Sequence, residues 1–322
     1  MSFFDLASLT KPLVTAPLAL AFLDLDADRR GDLGLSHRPA PLTVRQLLSY
    51  SAGLPPWLPY TGEPLALQLA RGWPEGAVPL LRPAEPGRCT YSDLGYRLLA
   101  ELLERATGVA WRTLGAAFTG LSPSPWQLAP MPLPAGPDQE AWALAEPGRP
   151  FPEPGPHLPH DANARAGMPG HAGFGAGAPQ LRAWLERWVE GGWPRRMAVP
   201  TAEGDDGTRW GLGLQAALDG PGRFGRLLAR VPAGLGGVHV LVQTRAGLSG
   251  AVPALEDPSG QPGGWWFHTG FTGPLLCVRP EDGCCIAVLC HRLDPGGRLM
   301  DLDQLRRHRW HLLEGMVARI GG

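Results

Sequence analysis

The hydrophobic pattern of this 322-residue chain changes character once, about two thirds of the way along. Before that point apolar side chains recur at helical spacing, most regularly over residues 92–107. From about residue 208, short apolar runs such as PLLCVRP and CCIAVLCHR, joined by the turn EDG, predict antiparallel strands. Helices that precede the strands instead of alternating with them predict an α+β fold, in which an antiparallel sheet is flanked by helices.

The chain is long enough for one large domain, 1–322, built from two closely packed subdomains. We expect a mostly helical subdomain at about 25–205 and a sheet subdomain made of 1–24 and 206–322. The sequence has 44 glycines and 36 prolines. Their concentration within 121–178 predicts one long loop there.

The first apolar stretch, residues 8–24, predicts a helix that is buried because it is apolar nearly all round. Ser8 or Thr10 suits its N-cap, and Pro17 is expected to kink it.

Two further helices carry clear end signals. The segment TVRQLLSYSAG predicts a helix that Thr43 caps and that Gly53 closes in the left-handed conformation. Residues 92–107, followed by Gly108, give the most regular helix of the chain.

Charge and composition exclude several classes of protein. The net charge is −1, and the one basic cluster, RRHR at 306–309, fits the exposed end of a helix, so nucleic acid is excluded as the main partner. No run of 18 apolar residues predicts a membrane span, and the chain as written has no signal peptide, which indicates a cytoplasmic protein. The five cysteines lack a CxxC pair and predict buried free thiols, so we expect neither a metal nor a cofactor.

Lys11 is the only lysine among the 29 Lys and Arg residues. A guanidinium is effectively never deprotonated, whereas a primary amine can give and take a proton when its surroundings tune it. Ser8 precedes Lys11 by three residues at a predicted helix start, so one helical turn places hydroxyl and amine on the same face. The helix dipole there favours a forming alkoxide or oxyanion.

Two more segments complete a pattern. Tyr91, Ser92 and Asp93 open the 92–107 helix, and FHTGF at 267–271 lies in strand-like text. With SLTK they resemble the SxxK, YxN and [KH]TG motifs of the serine β-lactamase and penicillin-binding-protein superfamily. FDLASLTKPL, LTVRQLLSYSAGLP, HDANARAGMPGHAGF and VLCHRLDP resemble blocks of its class C-like branch, which includes esterases and D-amino-acid peptidases.

The resemblance implies a β-lactamase/transpeptidase-like fold and hydrolysis without a cofactor. Ser8 would attack an acyl carbon and become an acyl-enzyme. Lys11, kept partly neutral by burial, would take the serine proton, directly or with Tyr91 as partner. Tyr91 would then protonate the leaving group and activate the deacylating water.

The third motif would hold the substrate. The resemblance implies that the backbone N–H groups of Ser8 and Phe271 form an oxyanion hole, with Gly270 in the same turn. His268 and Thr269 would hold the acid end or the leaving side of a small ester, amide or β-lactam.

Two departures from the family pattern bear on the substrate. Asp93 stands where the family often has asparagine, and its carboxylate accepts hydrogen bonds but cannot donate them to a substrate carbonyl. It would steady Lys11 as an ammonium or, at the least, cap the 92–107 helix. His268 replaces a lysine, so a fixed positive charge becomes a mostly neutral imidazole. Both changes favour esters or small amides, the substrates of a carboxylesterase or D-amino-acid peptidase, over β-lactams.

A third departure leaves an alternative open. Members of the family usually carry two sheet strands ahead of the SxxK helix, but only seven residues precede Ser8. If those strands are missing, a sheet edge is exposed and the helix is poorly supported. The alternative is therefore an N-terminally truncated, catalytically inactive binding protein. A true start further upstream would reopen the question of a signal peptide, and the sequence leaves the oligomeric state open.

Overall fold

The computed structural model of the protein describes residues 3–36, 40–58, 64–71, 88–123, 170–205, 207–217, 227–242, 264–290, 292 and 300–321. The α-helices in this part of the chain are α1 Ala16–Phe22, α2 Val44–Leu48, α3 Leu65–Arg71, α4 Asp93–Thr107, α5 Trp111–Thr119, α6 Ala178–Glu190, α7 Trp193–Met197 and α8 Leu302–Gly321. The strands are β1 Phe3–Asp5, β2 Ser122–Pro123, β3 Phe174–Gly177, β4 Ala202–Glu203, β5 Arg209–Trp210, β6 Gln215–Ala216, β7 Val238–Val242, β8 Trp266–Thr269, β9 Leu275–Arg279 and β10 Cys284–Leu289. Helices dominate before residue 200 and strands after it, as the hydrophobic pattern predicts.

The strands form a seven-stranded sheet in the order β4-β5-β6-β8-β9-β10-β7 and a three-stranded sheet in the order β1-β3-β2. Neighbours in the large sheet are antiparallel, with one exception: β7 and β10 run parallel, with Val238 opposite Cys285. The sequence predicted the antiparallel sheet but not the parallel pair. A short apolar run such as VHVLV fits either direction, because direction depends on the connection that follows the strand.

An exposed sheet edge is expected if two N-terminal strands are missing, and the β7–β10 pairing covers one edge of β10. It supplies a hydrogen-bonded neighbour along the side of β10 that faces away from β9. The start of the chain is held as well, because β1 pairs with β3 and places Phe4 opposite Ala176. The segment that leads to Ser8 is therefore anchored in a sheet of its own.

The apolar stretch 8–24 does not form the single helix we predicted. Ala7–Leu9 is a 3-10 turn, Lys11–Thr15 is a π-helix, and α1 follows from Ala16. Pro17 lies in the first turn of α1, so the break in helix type falls near the expected kink. Ser8 lies inside the 3-10 turn, whose N-cap is Leu6, so Ser8 is not the cap. Thr10 is the N-cap of the π-helix, as one of the two predicted candidates, but its side chain makes no capping hydrogen bond.

The helix α2 begins as predicted and ends early. Thr43 and Gln46 form a reciprocal capping box at its start. The helix stops at Leu48 instead of Gly53, because Tyr50 adopts a left-handed conformation with φ of 61°.

The helix α4 matches its prediction, with Ser92 as N-cap and Gly108 in the left-handed conformation beyond its end. The prediction of a loop over 121–178 is wrong at the two described ends of that range, which form regular secondary structure. Those ends are the strands β2 and β3, which pair with each other, and α6 begins at Ala178. The rest of that prediction, 124–169, lies outside the described residues.

Two apolar cores lie on opposite faces of the large sheet. Cys285 and Leu289 of β10 join the core shared with α1, α4 and α6, whereas Ile286 and Val288 join the core shared with α8. The candidate site lies on the first of these faces, where β8 approaches the N-terminal turn. Of the helices described, none is long and apolar enough to cross a membrane.

Candidate active site

Ser8 lies in a strained turn that neighbouring strands hold in place. The preceding residue, Ala7, has a φ of 45°, a left-handed value that is uncommon for a residue with a side chain. Its N–H donates to Asp5 Oδ1 at 2.9 Å, and the N–H of Leu6 donates to the carbonyl of Phe174 at 2.9 Å. These hydrogen bonds to Asp5 and Phe174, in β1 and β3, hold the backbone that leads into Ser8 and thus its direction.

Lys11 is completely buried and lies at the centre of the candidate site. Its Nζ lies near four oxygen atoms: Ser8 Oγ at 3.0 Å, Tyr91 OH at 2.8 Å, Asp93 Oδ1 at 2.6 Å and the carbonyl of His171 at 3.2 Å. An ammonium has three protons to donate, so these four acceptors suit the charged form of the lysine.

The protonation of this cluster corrects one prediction. Burial by itself lowers the pKa of Lys11, but the adjacent Asp93 carboxylate and the Tyr91 hydroxyl outweigh it, and the pKa is raised above its ordinary value. Burial raises the pKa of the Tyr91 phenol, and the Lys11 charge offsets only part of that rise. The expectation that burial keeps Lys11 partly neutral is therefore wrong for the resting site.

Asp93 pairs with Lys11 instead of capping α4. The cap is Ser92, whose Oγ accepts from the N–H of Leu94 at 3.2 Å and donates to the carbonyl of Pro55 at 2.6 Å. Asp93 is the first residue of the helix, where the helix dipole also favours a carboxylate. Of the two roles predicted for Asp93, the geometry supports the contact with Lys11 and contradicts the cap.

The third motif, HTG at 268–270, approaches Ser8 from the large sheet. A Cβ on Gly270 would lie 2.8 Å from the carbonyl oxygen of Leu6, and Thr272 Oγ1 donates to the carbonyl of Asp5 at 3.2 Å. The turn that follows β8 therefore packs directly on the segment that leads into Ser8. Phe271 lies in this turn, and Thr269 ends the strand before it.

His268 is buried and held on both ring nitrogens. Its Nδ1 lies 3.0 Å from the carbonyl of Thr269, and its Nε2 lies 3.4 Å from the hydroxyl of Tyr50. A carbonyl can only accept, so this arrangement assigns the proton to Nδ1 and leaves Nε2 to accept from Tyr50. Burial, together with the nearby Lys11 charge, lowers the pKa of His268 to about 3. The imidazole is therefore neutral at pH 7, as predicted.

Sequence reasoning missed Tyr50 and Trp210. The ring of Tyr50 lies 4.8 Å from that of Tyr91 and 4.6 Å from that of Trp210, centroid to centroid. Tyr50 belongs to the LSYSAG block that carried the family resemblance, which is the signal that could have found it. Trp210 stood only in strand-like text, and its side chain gave no signal of a site.

A cleft of about 680 Å³ opens beside Tyr91 and His268. Its lining includes one cationic and one anionic side chain. A cleft of this size and polarity suits a small substrate with a polar group. The lining residues are Cys89, Thr90, Tyr91, Gly204, Asp205, Thr208, Trp210, Gln215, His268, Thr269 and Arg306. Within the described ranges, no three His, Cys, Asp or Glu side chains are placed together to hold a metal ion.

One known protein family matches nearly the whole chain. The family model described as Beta-lactamase matches residues 2–309. No curated protein matches the chain.

Solved structures show the same fold. A crystal structure of SurE with D-Leu has a TM-score of 0.58 at 21% identity, covering 99% of this chain and 64% of the SurE chain. A class C beta-lactamase has a TM-score of 0.54 at 16% identity, covering 100% of this chain and 83% of its own. EstA from Arthrobacter nitroguajacolicus Rue61a has a TM-score of 0.54 at 16% identity, covering 100% and 85%. This chain thus spans less than two thirds of the SurE chain, and the fold predicted from the resemblance is confirmed.

Proposed function

The chain belongs to the beta-lactamase family of serine hydrolases, and we propose that it hydrolyses a small ester or amide through an acyl-enzyme on Ser8. One observation carries the proposal. The only lysine of the chain is buried with its Nζ 3.0 Å from Ser8 Oγ and 2.8 Å from Tyr91 OH, although Tyr91 lies 80 residues further along the chain. A nucleophile, a proton acceptor and a second proton carrier in contact are what acyl transfer requires.

Acylation begins when the cluster of Lys11, Asp93 and Tyr91 has lost one proton. The neutral amine then accepts the proton of Ser8 while Oγ bonds to the acyl carbon and the carbonyl electron pair moves onto oxygen. The backbone N–H groups of Ser8 and Phe271 stabilise that oxyanion. When the carbonyl re-forms, the bond to the leaving group breaks.

The leaving group takes a proton from Tyr91, and Lys11 returns a proton to the phenolate. Deacylation repeats these transfers with water as the nucleophile. Water gives one proton to the cluster, and Ser8 leaves with one proton restored. The two half-reactions together consume one water and leave the site unchanged.

The two departures from the family pattern support esters and small amides over β-lactams. His268 is neutral, so the third motif offers no fixed positive charge to the carboxylate of a β-lactam. Asp93 cannot donate to a substrate carbonyl and already pairs with Lys11.

Intact-mass spectrometry after treatment with a fluorophosphonate tests the nucleophile. We expect one adduct on the wild type and on Ser122→Ala, a control serine in β2, and none on Ser8→Ala. p-Nitrophenyl acetate turnover should disappear with the adduct, and nitrocefin should be a poor substrate throughout. Turnover that survives Ser8→Ala would refute the proposal. A well-folded wild type without an adduct would favour the inactive binding protein.

A further inference from the structure

The basic cluster at 306–309 does not behave as one exposed patch. Arg306 and Arg307 are exposed on α8, whereas Arg309 is half-buried and reaches the turn that follows β8. Its Nε donates to the carbonyl of Gly273 at 2.6 Å, and its Nη2 donates to the carbonyl of Gly270. One guanidinium thus binds both ends of the turn that contains Phe271.

The bond to Gly270 acts on Phe271 through the peptide plane. The carbonyl of one residue and the N–H of the next belong to the same rigid, trans peptide unit and point in opposite directions. Fixing the oxygen of Gly270 therefore fixes the direction of the Phe271 N–H. A cation on the carbonyl also polarises the unit and strengthens its N–H as a donor.

The rest of the turn is held from the same side. The N–H of Arg292 donates to the carbonyl of Thr272 at 2.8 Å, and the guanidinium of Arg292 lies 4.4 Å from the centre of the Phe271 ring. Gly273 has a φ of 135°, and a Cβ there would lie 2.3 Å from the carbonyl oxygen of Cys290. The turn can therefore move little on the side of Cys290 and Arg292, just beyond the end of β10.

We propose that Arg309 is a positioning residue for the oxyanion hole, which holds the Gly270–Phe271 peptide so that its N–H points at the reacting carbonyl. The inference rests on the proposed function, since it takes the Phe271 N–H as an oxyanion donor. Burial lowers the pKa of Arg309 to about 10, so the guanidinium still carries its charge at neutral pH. Arg309 touches no substrate atom in this scheme and acts through the peptide alone.

The test compares Arg309→Met, which keeps the stem and removes the donors, with Arg309→Lys, which keeps a charged donor. Arg307→Met is the matched control on the exposed face of the same helix. Each protein is first titrated to completion with the fluorophosphonate, and rates are then expressed per labelled Ser8. This step separates a loss of folded enzyme from a loss of rate at each site.

Removing one oxyanion donor lowers kcat by about 10²- to 10³-fold, so misaligning one should cost about 10- to 100-fold. We expect that fall in kcat and in the phosphonylation rate for Arg309→Met, with KM nearly unchanged, partial recovery in Arg309→Lys, and values within about twofold of wild type for Arg307→Met. Added ethylguanidinium should restore part of kcat in Arg309→Ala, an effect that a purely structural role would not produce.

The outcomes separate the two proposals. Wild-type kcat per labelled site in both Arg309→Met and Arg309→Lys would overturn the role of Arg309 and leave the acyl-enzyme intact. If Arg309→Met does not fold, an unchanged kcat in Arg309→Lys together with no rescue of Arg309→Ala would overturn it equally. A wild type that is folded but never labelled would overturn both.

Discussion

At the level of single residues, Lys11 is completely buried and keeps its charge because Asp93 lies 2.6 Å away. An unpaired ammonium in such a site would deprotonate, since burial disfavours the charged form. The ion pair therefore stabilises the charged resting site. In the mechanism that we propose, it also holds the proton that Lys11 has to lose before it can accept one from Ser8, so the carboxylate of Asp93 would set the pH at which Lys11 becomes a base.

Replacing Asp93 with asparagine tests that conclusion. Without the carboxylate, burial dominates and the pKa of Lys11 falls, so more of the lysine is neutral at a given pH. We expect Asp93→Asn to move the rising limb of the pH profile of kcat/KM to lower pH by about one to three units. The measurement is the initial rate with p-nitrophenyl acetate from pH 5 to pH 10.

Asp26→Asn is the control, because that carboxylate pairs with Arg45 at the surface. Its profile should coincide with that of the wild type. A limb that stays in place or moves to higher pH in Asp93→Asn would show that Asp93 does not govern the charge of Lys11.

The sequence could predict which residues meet here and that His268 is neutral, but not the charge of Lys11. Ser8 and Lys11 were found by local spacing, and Tyr91 and His268 by resemblance. The charge state of Lys11 depends on complete burial and on the direction of the Asp93 side chain, which only the folded chain supplies. The contact of Tyr50 with His268 could not be predicted for a similar reason, since the two residues lie 218 positions apart.

At the level of secondary structure, the contact between α2 and α4 sets the spacing of the site aromatics. Tyr50 follows α2, and Tyr91 precedes α4. The two helices touch at Gly95, where a Cβ would lie 2.9 Å from the carbonyl oxygen of Leu47. That oxygen belongs to the backbone of α2, so a larger residue at position 95 has to push the helices apart.

Gly95→Ala should therefore lower the free energy of unfolding, although alanine is ordinarily the better helix former by about 1 kcal/mol. Overpacking at a rigid contact costs about 1 to 3 kcal/mol, which outweighs that gain. Urea denaturation at pH 7.5 measures the change. Gly31→Ala is the control, because nothing lies within 4 Å of a Cβ there, and it should leave stability unchanged or slightly raised. A Gly95→Ala protein as stable as the wild type would mean that the helices are not in rigid contact.

The element boundaries show which signals are local. The cap at Thr43 and the left-handed Gly108 depend on hydrogen bonds and conformations within a few residues, and the sequence predicted both. It did not predict the early end of α2 at Leu48 or the choice of Ser92 over Asp93 as the cap of α4. The π-helix at Lys11–Thr15 is only partly a local matter. Pro17 signalled a break close by, but the contact of Thr15 Oγ1 with the carbonyl of Gly170 at 2.5 Å joins residues far apart in the sequence.

On the scale of the whole molecule, the site joins the sheet to the helices. The order of helical and strand-like text was enough to predict the α+β fold, because layer packing leaves few other arrangements. The division into a helical and a sheet subdomain stays a prediction. His268 on β8 meets Tyr50 beyond α2, so unfolding of either part exposes the imidazole to water.

This burial couples the stability of the fold to pH. The pKa of His268 is about 3 in the folded protein and about 6.5 in the unfolded chain, so the unfolded chain binds the extra proton first as the pH falls. The stabilisation that a neutral His268 contributes is complete above about pH 6.5 and is lost progressively down to about pH 3. The loss amounts to about 1.4 kcal/mol for each pH unit within that window.

We expect the wild type to lose about 2 to 3 kcal/mol more of its free energy of unfolding between pH 6.5 and pH 4.5 than His268→Gln does. Glutamine keeps a donor and an acceptor in the cavity but cannot bind the proton, so every other titration is common to both proteins and cancels in the difference. Urea denaturation at the two pH values gives both free energies. Equal losses in the two proteins would mean that the imidazole is already hydrated in the folded state, and that the contact between β8 and Tyr50 does not exclude water from the site.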